Sequence, residues 1–199
     1  MSNPRSAIAI ARHPSSDDVA AHESTLLSET DLQRFEGMRQ SSRSAFLAGR
    51  SALRAAASQL TGIRPMEIRF EAPCPDCGEQ HGRPTVLGIP GAHVSLTHSS
   101  SLAVAVAATV PVGIDAESRT IQEERIDAIR IVTRLRAGDA LRHWVRVEAV
   151  LKADGRGLRV DPADVSIRGR TAALRGAPQR YRLRQVALGG HVCAVAFAE

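Results

Sequence analysis

Two carboxylates near the middle of the chain are placed for joint chemistry. Asp115 and Glu117 lie two positions apart, directly after the strongly apolar run 102–112. Such a run predicts a buried β-strand, and residues two apart in a strand project from the same face. Both carboxylates can therefore reach one target at a sheet edge. Taken alone, the same pair is also compatible with a solvated strand end.

A second set of chemical groups follows on a predicted helix. Trp144, Glu148 and Lys152 recur at every fourth position, which places them along one stripe of an α-helix. With Asp115 and Glu117 this gives three carboxylates and one ammonium group. The carboxylates are suitable ligands for Mg²⁺, and the ammonium group is a suitable partner for a phosphate. Glu148 and Lys152 are equally compatible with an ordinary surface ion pair. Lys152 is the only lysine in the chain, which adds weight to a functional role.

Positioning these groups requires strands packed beside helices, and the sequence patterns predict such an α+β fold. Ser28 begins a predicted helix with acidic residues in its first turn, and Gly62 is placed as the stop of another. Each half of the chain combines helices with antiparallel strands. The expected helices cover 44–60, 121–136 and 139–153; the expected strands cover 7–10, 66–72, 92–96, 102–110, 165–168, 181–186 and 192–197, with loops over 14–25, 73–84 and 97–101.

The composition indicates a globular protein with an acidic partner. Hydrophobic residues make up 43% of the 199 residues, whereas aromatic residues contribute only 3%, so Ala, Val, Leu and Ile must fill the core. The net charge of +5 favours nucleic acid, an acidic protein or a phosphorylated small molecule as partner. One Trp and one Tyr argue against binding of single strands by base stacking. No apolar run reaches the roughly 18 residues that span a membrane.

The cysteines point to a reducing compartment. Three of them, Cys74, Cys77 and Cys193, give an odd count without a secretory signal, so we expect a cytoplasmic protein rather than a disulfide framework. Cys74, Cys77 and His81 have half the spacing of a zinc site. No second Cys/His pair follows at a fitting distance, so zinc is not expected and the loop is interpreted as carrying two free thiols.

Four residues in the first half are candidates for contacts with a phosphorylated ligand. His98 and Thr97 adjoin a Ser-rich turn whose amides and hydroxyls can donate hydrogen bonds to phosphate. Arg83 is held between Gly82 and Pro84, and Arg50 lies on a predicted helix. Each has an ordinary explanation as well, since a loop histidine and surface arginines are common.

Taken together, these motifs resemble the 4′-phosphopantetheinyl transferases, in the larger monomeric group that activates peptide and polyketide synthases of secondary metabolism. The resemblance runs from about residue 30 to the C-terminus, and the Cys-Pro-x-Cys-Gly insertion looks like the actinobacterial branch. The matching segments, in the family's order, are AGR at 48–50 with LR at 53–54, HGRP at 81–84, VSLTHS at 94–99, GIDAE at 113–117, Trp144 with Glu148, Ala149 and Lys152, and GRGL at 155–158.

The resemblance implies a fold, a reaction and a set of roles. The fold would be a pseudo-dimer of two similar α+β lobes, 1–111 and 112–199, with coenzyme A bound between them. A carrier-protein serine would attack the β-phosphorus of coenzyme A, accept phosphopantetheine and release adenosine 3′,5′-bisphosphate. Asp115, Glu117 and Glu148 would bind Mg²⁺, with Asp115, Glu148 and Lys152 as catalytic residues and Glu148 as a base. Arg50, Arg83, Thr97 and His98 would surround the 3′-phosphate and adenine. The partner would be an acidic acyl or peptidyl carrier protein, and the enzyme is expected to be a cytoplasmic monomer that binds neither nucleic acid nor membrane.

Two departures from the family pattern suggest an impaired enzyme. Val147 occupies the position before the helix glutamate where the family usually has lysine, and the segment 118–143 is shorter than expected and lacks a Phe-Ser-x-x-Glu-like stretch. Two alternatives therefore stay open. One is a coenzyme A-binding homologue with weak or no transferase activity, and the other is a basic zinc-loop protein that binds nucleic acid.

Overall fold

The computed structural model describes residues 4–15, 19, 27–99 and 101–199, and it confirms the α+β fold class. The chain forms two compact units, Met1–Thr109 and Val110–Glu199. The division falls two residues before the one expected from the sequence. Among the described residues, helices are too short or too polar to cross a membrane.

The first unit pairs helices with a small antiparallel sheet. The sheet has the order β1-β5-β4, and β2 and β3 form a separate two-stranded ribbon. Its described elements are β1 (Ser6–Arg12), α1 (Glu29–Glu36), α2 (Gln40–Thr61), β2 (Phe70–Glu71), β3 (Thr85–Val86), β4 (His93–Ser99) and β5 (Leu102–Ala108).

Local signals account for the helices of this unit. Ser28 caps α1, because its side chain accepts a hydrogen bond from the Asp31 N–H at 3.3 Å. Helix α2 ends where Gly62 adopts a left-handed conformation with φ of 78°. The face of α2 that covers the sheet is rich in alanine, so helix and sheet approach closely without large aromatic side chains. Its core includes Ala48, Ala52, Leu53, Ala56, Ala103, Ala105 and Ala107.

The second unit combines two helices with a five-stranded antiparallel sheet. The strand order is β6-β10-β9-β8-β7, and the described elements are β6 (Val112–Ser118), α3 (Glu123–Thr133), α4 (Ala140–Asp154), β7 (Val165–Arg168), β8 (Thr171–Leu174), β9 (Arg180–Val186) and β10 (His191–Ala198). Asp139 caps α4 by accepting from the Arg142 N–H at 2.9 Å, and Gly155 ends it in a left-handed conformation. Helix α4 packs across β6 and β10.

Gly113 sets how closely α4 approaches β6. A Cβ atom at this position would overlap the carbonyl oxygen of Ala149 and the backbone nitrogen of Ala153. Only a residue without a side chain lets the helix backbone lie directly on the strand. The close approach places the α4 side chains over the β6 residues that share the face of Gly113.

Several local expectations from the sequence were wrong. Only Phe70–Glu71 of 66–72 is strand, since Pro65 starts a short 3₁₀ turn. Thr97 and His98 lie in β4 rather than in a loop, because they pair with Val104 and Ala103 of β5. The sequence analysis also missed the short strands β3 and β8. The apolar run 102–112 is not one strand, since β5 ends at Ala108, and Asp115 and Glu117 lie inside the separate strand β6 and not just after the run. Residues 16–18 and 20–25 of the loop expected over 14–25, and Ser100, lie outside the described part of the chain.

Candidate functional site

Asp115 and Lys152 form the centre of the candidate site in the second unit. The Lys152 Nζ lies 2.7 Å from the Asp115 Oδ1 and also donates to the Ile114 carbonyl oxygen at 3.2 Å. The side chain of Asp115 is 8% exposed and that of Lys152 is 30% exposed. A charged contact thus joins the middle of β6 to the last turn of α4, and solvent has limited access to it.

Glu148 lies one helical turn before Lys152, and its electrostatic interactions link it to the same cluster. Burial raises the pKa of its carboxyl group, Asp115 and Glu117 raise it further, and Lys152 opposes them. Both other carboxylates therefore repel the ionised form of Glu148. A carboxyl group with a raised pKa is suited to accept a proton near neutral pH.

Glu117 has a different partner. Its Oε1 accepts a hydrogen bond from the guanidinium group of Arg125, in the first turns of α3. The Glu117 side chain is 24% exposed and that of Arg125 is 57% exposed, so this contact lies at the rim of the site. Arg125 is a site neighbour that the sequence analysis missed.

The donors in this cluster suit a hard divalent cation. Carboxylate oxygens are the ligands that Mg²⁺ prefers, and the repulsion that raises the pKa of Glu148 is what a bound cation would relieve. The pairing with Lys152 and Arg125 shows that Asp115 and Glu117 already hold positive partners. Among the described residues, the three carboxylates are not gathered as tightly as a preformed metal site, so joint coordination of Mg²⁺ stays a prediction.

The structure changes the interpretation of Val147. Its side chain is fully buried and packs in the hydrophobic core of the second unit, with Val150, Leu151 and Leu183 among its neighbours in that cluster. Helix geometry directs Val147 to the core, while Glu148 lies at the next position around the helix. A lysine here would enter the core, so packing accounts for valine at this position.

In the first unit, His98 and Arg50 line one small cavity of about 130 Å³. Gly49 makes room for the histidine, because a Cβ atom there would lie 3.0 Å from the His98 Cε1. Arg34 adds a second guanidinium group to the lining. The volume is below the roughly 300–1,000 Å³ of typical small-molecule pockets, so the cavity suits one end of a ligand, such as a phosphate group.

The other expected phosphate contacts are placed differently. Arg50 is 7% exposed and its Nε lies 2.7 Å from the Asp31 Oδ1, so its guanidinium group is already paired with a carboxylate of the same unit. Thr97 is buried and projects from the face of β4 opposite His98. Arg83 lies near His93, whose pKa is lowered by burial and further by this arginine. Neither Thr97 nor Arg83 is part of the cavity lining that the described residues form.

The sequence analysis missed a larger cavity in the second unit. It measures about 390 Å³, and Arg142, Arg146, Arg170 and Arg184 all line it. Burial lowers the pKa of Arg146, and repulsion from Arg142 lowers it further. Because the described lining contains no carboxylate, the cavity favours an anionic ligand or an acidic partner surface. The only signal in the sequence was the spacing of Arg142 and Arg146 by one helical turn.

Comparisons with known proteins assign no family to this arrangement. No family model matches the chain, and no curated protein matches it significantly.

Proposed function

We propose that this chain transfers 4′-phosphopantetheine from coenzyme A to a serine of an acyl or peptidyl carrier protein. The order of the motifs along the sequence supports the proposal. The observation that carries it is the ion pair between Asp115 and Lys152, with the half-buried Glu148 electrostatically linked to both. A cation beside a carboxyl group of raised pKa is suited to phosphoryl transfer.

In this proposal Glu148 accepts the proton of the attacking serine. The serine oxygen forms a bond to the β-phosphorus of coenzyme A, and the bond from that phosphorus to the leaving adenosine 3′,5′-bisphosphate breaks. Burial raises the pKa of Glu148, and this makes its carboxylate a stronger base for this step. Lys152 is a point charge that can stabilise the pyrophosphate oxygens while Asp115 holds it in place.

Asp115, Glu117 and Glu148 would together hold Mg²⁺. When bound, Mg²⁺ would neutralise negative charge on the pyrophosphate. In this arrangement Arg125 would keep Glu117 oriented at the rim of the site.

The arginine-lined cavity supports an acidic macromolecular partner. Its four guanidinium groups belong to one unit, and a negatively charged helix or loop would satisfy them. Arg170→Glu should therefore raise the KM for the carrier protein at least about tenfold while leaving that for coenzyme A nearly unchanged. Arg168→Glu is the matched control, because Arg168 is exposed on the same hairpin and outside the cavity lining. Equal effects of the two substitutions would remove the cavity from this role.

The direct test is incubation with coenzyme A, Mg²⁺ and a panel of apo-carrier proteins. The expected result is a carrier whose mass increases by one phosphopantetheine group. Binding of coenzyme A without any mass increase would instead favour a binding homologue that lacks transferase activity. The role of His98 is then tested by measuring how tightly His98→Ala and the wild type bind coenzyme A and dephospho-coenzyme A. Loss of a 3′-phosphate contact should weaken the binding of coenzyme A only.

A further inference from the structure

A loop in the first unit brings together three metal-binding side chains outside the proposed active site. The cysteine loop, residues 72–82, contains Cys74, Cys77 and His81. One ligand atom from each lies within 4.8 Å of the other two, and the Cys77 Sγ is 3.0 Å from the His81 Nε2. Cys74 is half-buried, whereas Cys77 and His81 are exposed, so an ion can reach them from solvent.

The backbone of this loop is built to hold these donors together. The Cys74 N–H donates to the Glu79 carbonyl oxygen at 2.7 Å, and the Gly78 N–H donates to the Cys74 carbonyl oxygen at 2.8 Å. Gly78 has a φ of 78°, the left-handed conformation that this tight turn requires. The loop is therefore folded by its own hydrogen bonds into a turn that keeps the two sulfur atoms within 4.8 Å of each other.

The ends of the loop are also fixed, and this brings His81 back to the cysteines. The Gly82 N–H donates to the Ala72 carbonyl oxygen at 2.6 Å, while the Ala72 N–H donates to the Gln80 Oε1 at 2.7 Å. A Cβ atom at Gly82 would overlap the Pro73 carbonyl oxygen, so the two ends approach this closely only because residue 82 is glycine.

A carboxylate also lies beside the sulfur atoms. The Asp76 Oδ2 is 3.9 Å from the Cys74 Sγ, so an oxygen donor is close to the three metal-binding side chains.

We propose that Cys74, Cys77 and His81 bind one Zn²⁺ ion, with a water molecule or the Asp76 carboxylate as the fourth ligand. Tetrahedral Zn²⁺, with bonds of about 2.0–2.3 Å, separates its ligand atoms by about 3.5–3.8 Å. The observed separations range from 3.0 Å, between the Cys77 Sγ and the His81 Nε2, to at most 4.8 Å, so only small shifts of the side chains are needed. Spacing along the chain offers no second ligand pair for a four-donor site. The folded loop supplies three donors by itself.

The zinc ion would act as a structural clamp on the cavity that contains His98. Ala72 and Gly82, the residues that close the loop, both line that cavity. Arg83 follows directly, so the metal would also fix the start of the chain segment that carries this arginine. A role of Arg83 with coenzyme A rests on the proposed function, whereas zinc binding does not.

Metal analysis of the purified full-length chain tests the proposal without reference to activity. We expect about one zinc per chain in the wild type and near-complete loss in Cys74→Ser and Cys77→Ser. His81→Ala should weaken the affinity for zinc by more than the roughly 10–100-fold that is typical of losing an outer-shell partner. Cys193→Ser is the control and should keep its zinc, because burial raises the pKa of Cys193 to about 12 and this thiol lies in β10.

Cobalt substitution of the wild type provides a test that needs no variant. Co²⁺ bound by two thiolates and an imidazole should show sulfur-to-cobalt charge-transfer absorption and the intense visible bands of a tetrahedral site. Absence of these bands in reduced, cobalt-loaded protein would overturn the proposal. So would equal zinc contents in the wild type and Cys77→Ser. A Cys74–Cys77 disulfide that persists under reducing purification, detected as a mass lower by two hydrogens, would assign the pair to redox chemistry instead.

Discussion

The Lys152 Nζ lies 2.7 Å from the Asp115 Oδ1 and joins helix α4 to strand β6. Each residue belongs to a different motif, and the contact exists because the helix backbone lies against Gly113 two positions before Asp115. The pair therefore has both a structural and a proposed catalytic role. Substitutions can separate these roles when stability and transfer are measured in parallel.

Asp115→Asn should reduce both stability and transfer. It removes the negative partner of a half-buried ammonium group, which should lower the free energy of unfolding by about 1–3 kcal/mol. The lower end is expected, since the Lys152 side chain is 30% exposed. Urea denaturation measures the change. Glu117→Gln is the control, because its partner Arg125 is exposed and the loss should stay below about 1 kcal/mol. Equal losses of stability in the two variants would contradict the prediction that the Asp115–Lys152 pair contributes more than the Glu117–Arg125 pair.

Glu148→Gln should stabilise the protein at neutral pH while slowing transfer. The folded-state pKa of Glu148 is raised, so the folded protein holds this proton over a pH range where the unfolded chain has lost it. Stability from this group is complete below the unfolded pKa and falls as pH rises through the folded pKa. The variant lacks this dependence, so its Tm should match the wild type in acid and exceed it at neutral pH.

Thermal denaturation across pH, with and without Mg²⁺, checks this prediction. Mg²⁺ should raise the Tm of the wild type more than that of Glu148→Gln, because the wild type offers one more carboxylate ligand. A variant that is less stable than the wild type at neutral pH would show that carboxylate repulsion is not the dominant effect at this position. An equal response to Mg²⁺ would exclude Glu148 as a metal ligand.

Gly113→Ala should be strongly destabilising. The added methyl group meets the backbone of Ala149 and Ala153, which cannot move without displacing α4 from β6. Overpacking against backbone should cost about 3 kcal/mol or more, and transfer should fall with it. Gly189→Ala is the matched control, since a Cβ atom there meets no atom within 4 Å. Denaturation of both variants decides the point, and similar stabilities would contradict the close helix–strand contact.

Val147→Lys should lower stability and not restore activity. The substitution would place an unpaired ammonium group among the apolar side chains of the second unit, at a cost of about 3–5 kcal/mol. Arg142→Lys places lysine at an exposed position of the same helix and should change stability by less than about 0.5 kcal/mol. If Val147→Lys folds with wild-type stability and transfers faster, the interpretation of Val147 as a core residue is wrong.

Spacing along the chain was sufficient to predict the fold class and most of the elements. Period-two and period-four patterns report which face a side chain occupies, and so Asp115 with Glu117, and Glu148 with Lys152, were recognised from the sequence. Ser28 and Gly62 marked helix ends because caps are local interactions. Short elements such as β8 were missed, since they form only by pairing with neighbouring strands.

Contacts between distant residues were decided only by the tertiary structure. The sequence does not state that Lys152 pairs with Asp115, that Arg125 holds Glu117, or that Val147 faces the core. The approach of His81 to Cys77 likewise depends on backbone hydrogen bonds that close the cysteine loop. Sequence patterns determine the face on which a residue lies. Which groups meet across that face depends on packing and on close backbone contacts, such as the one at Gly113, that arise only when separate segments come together.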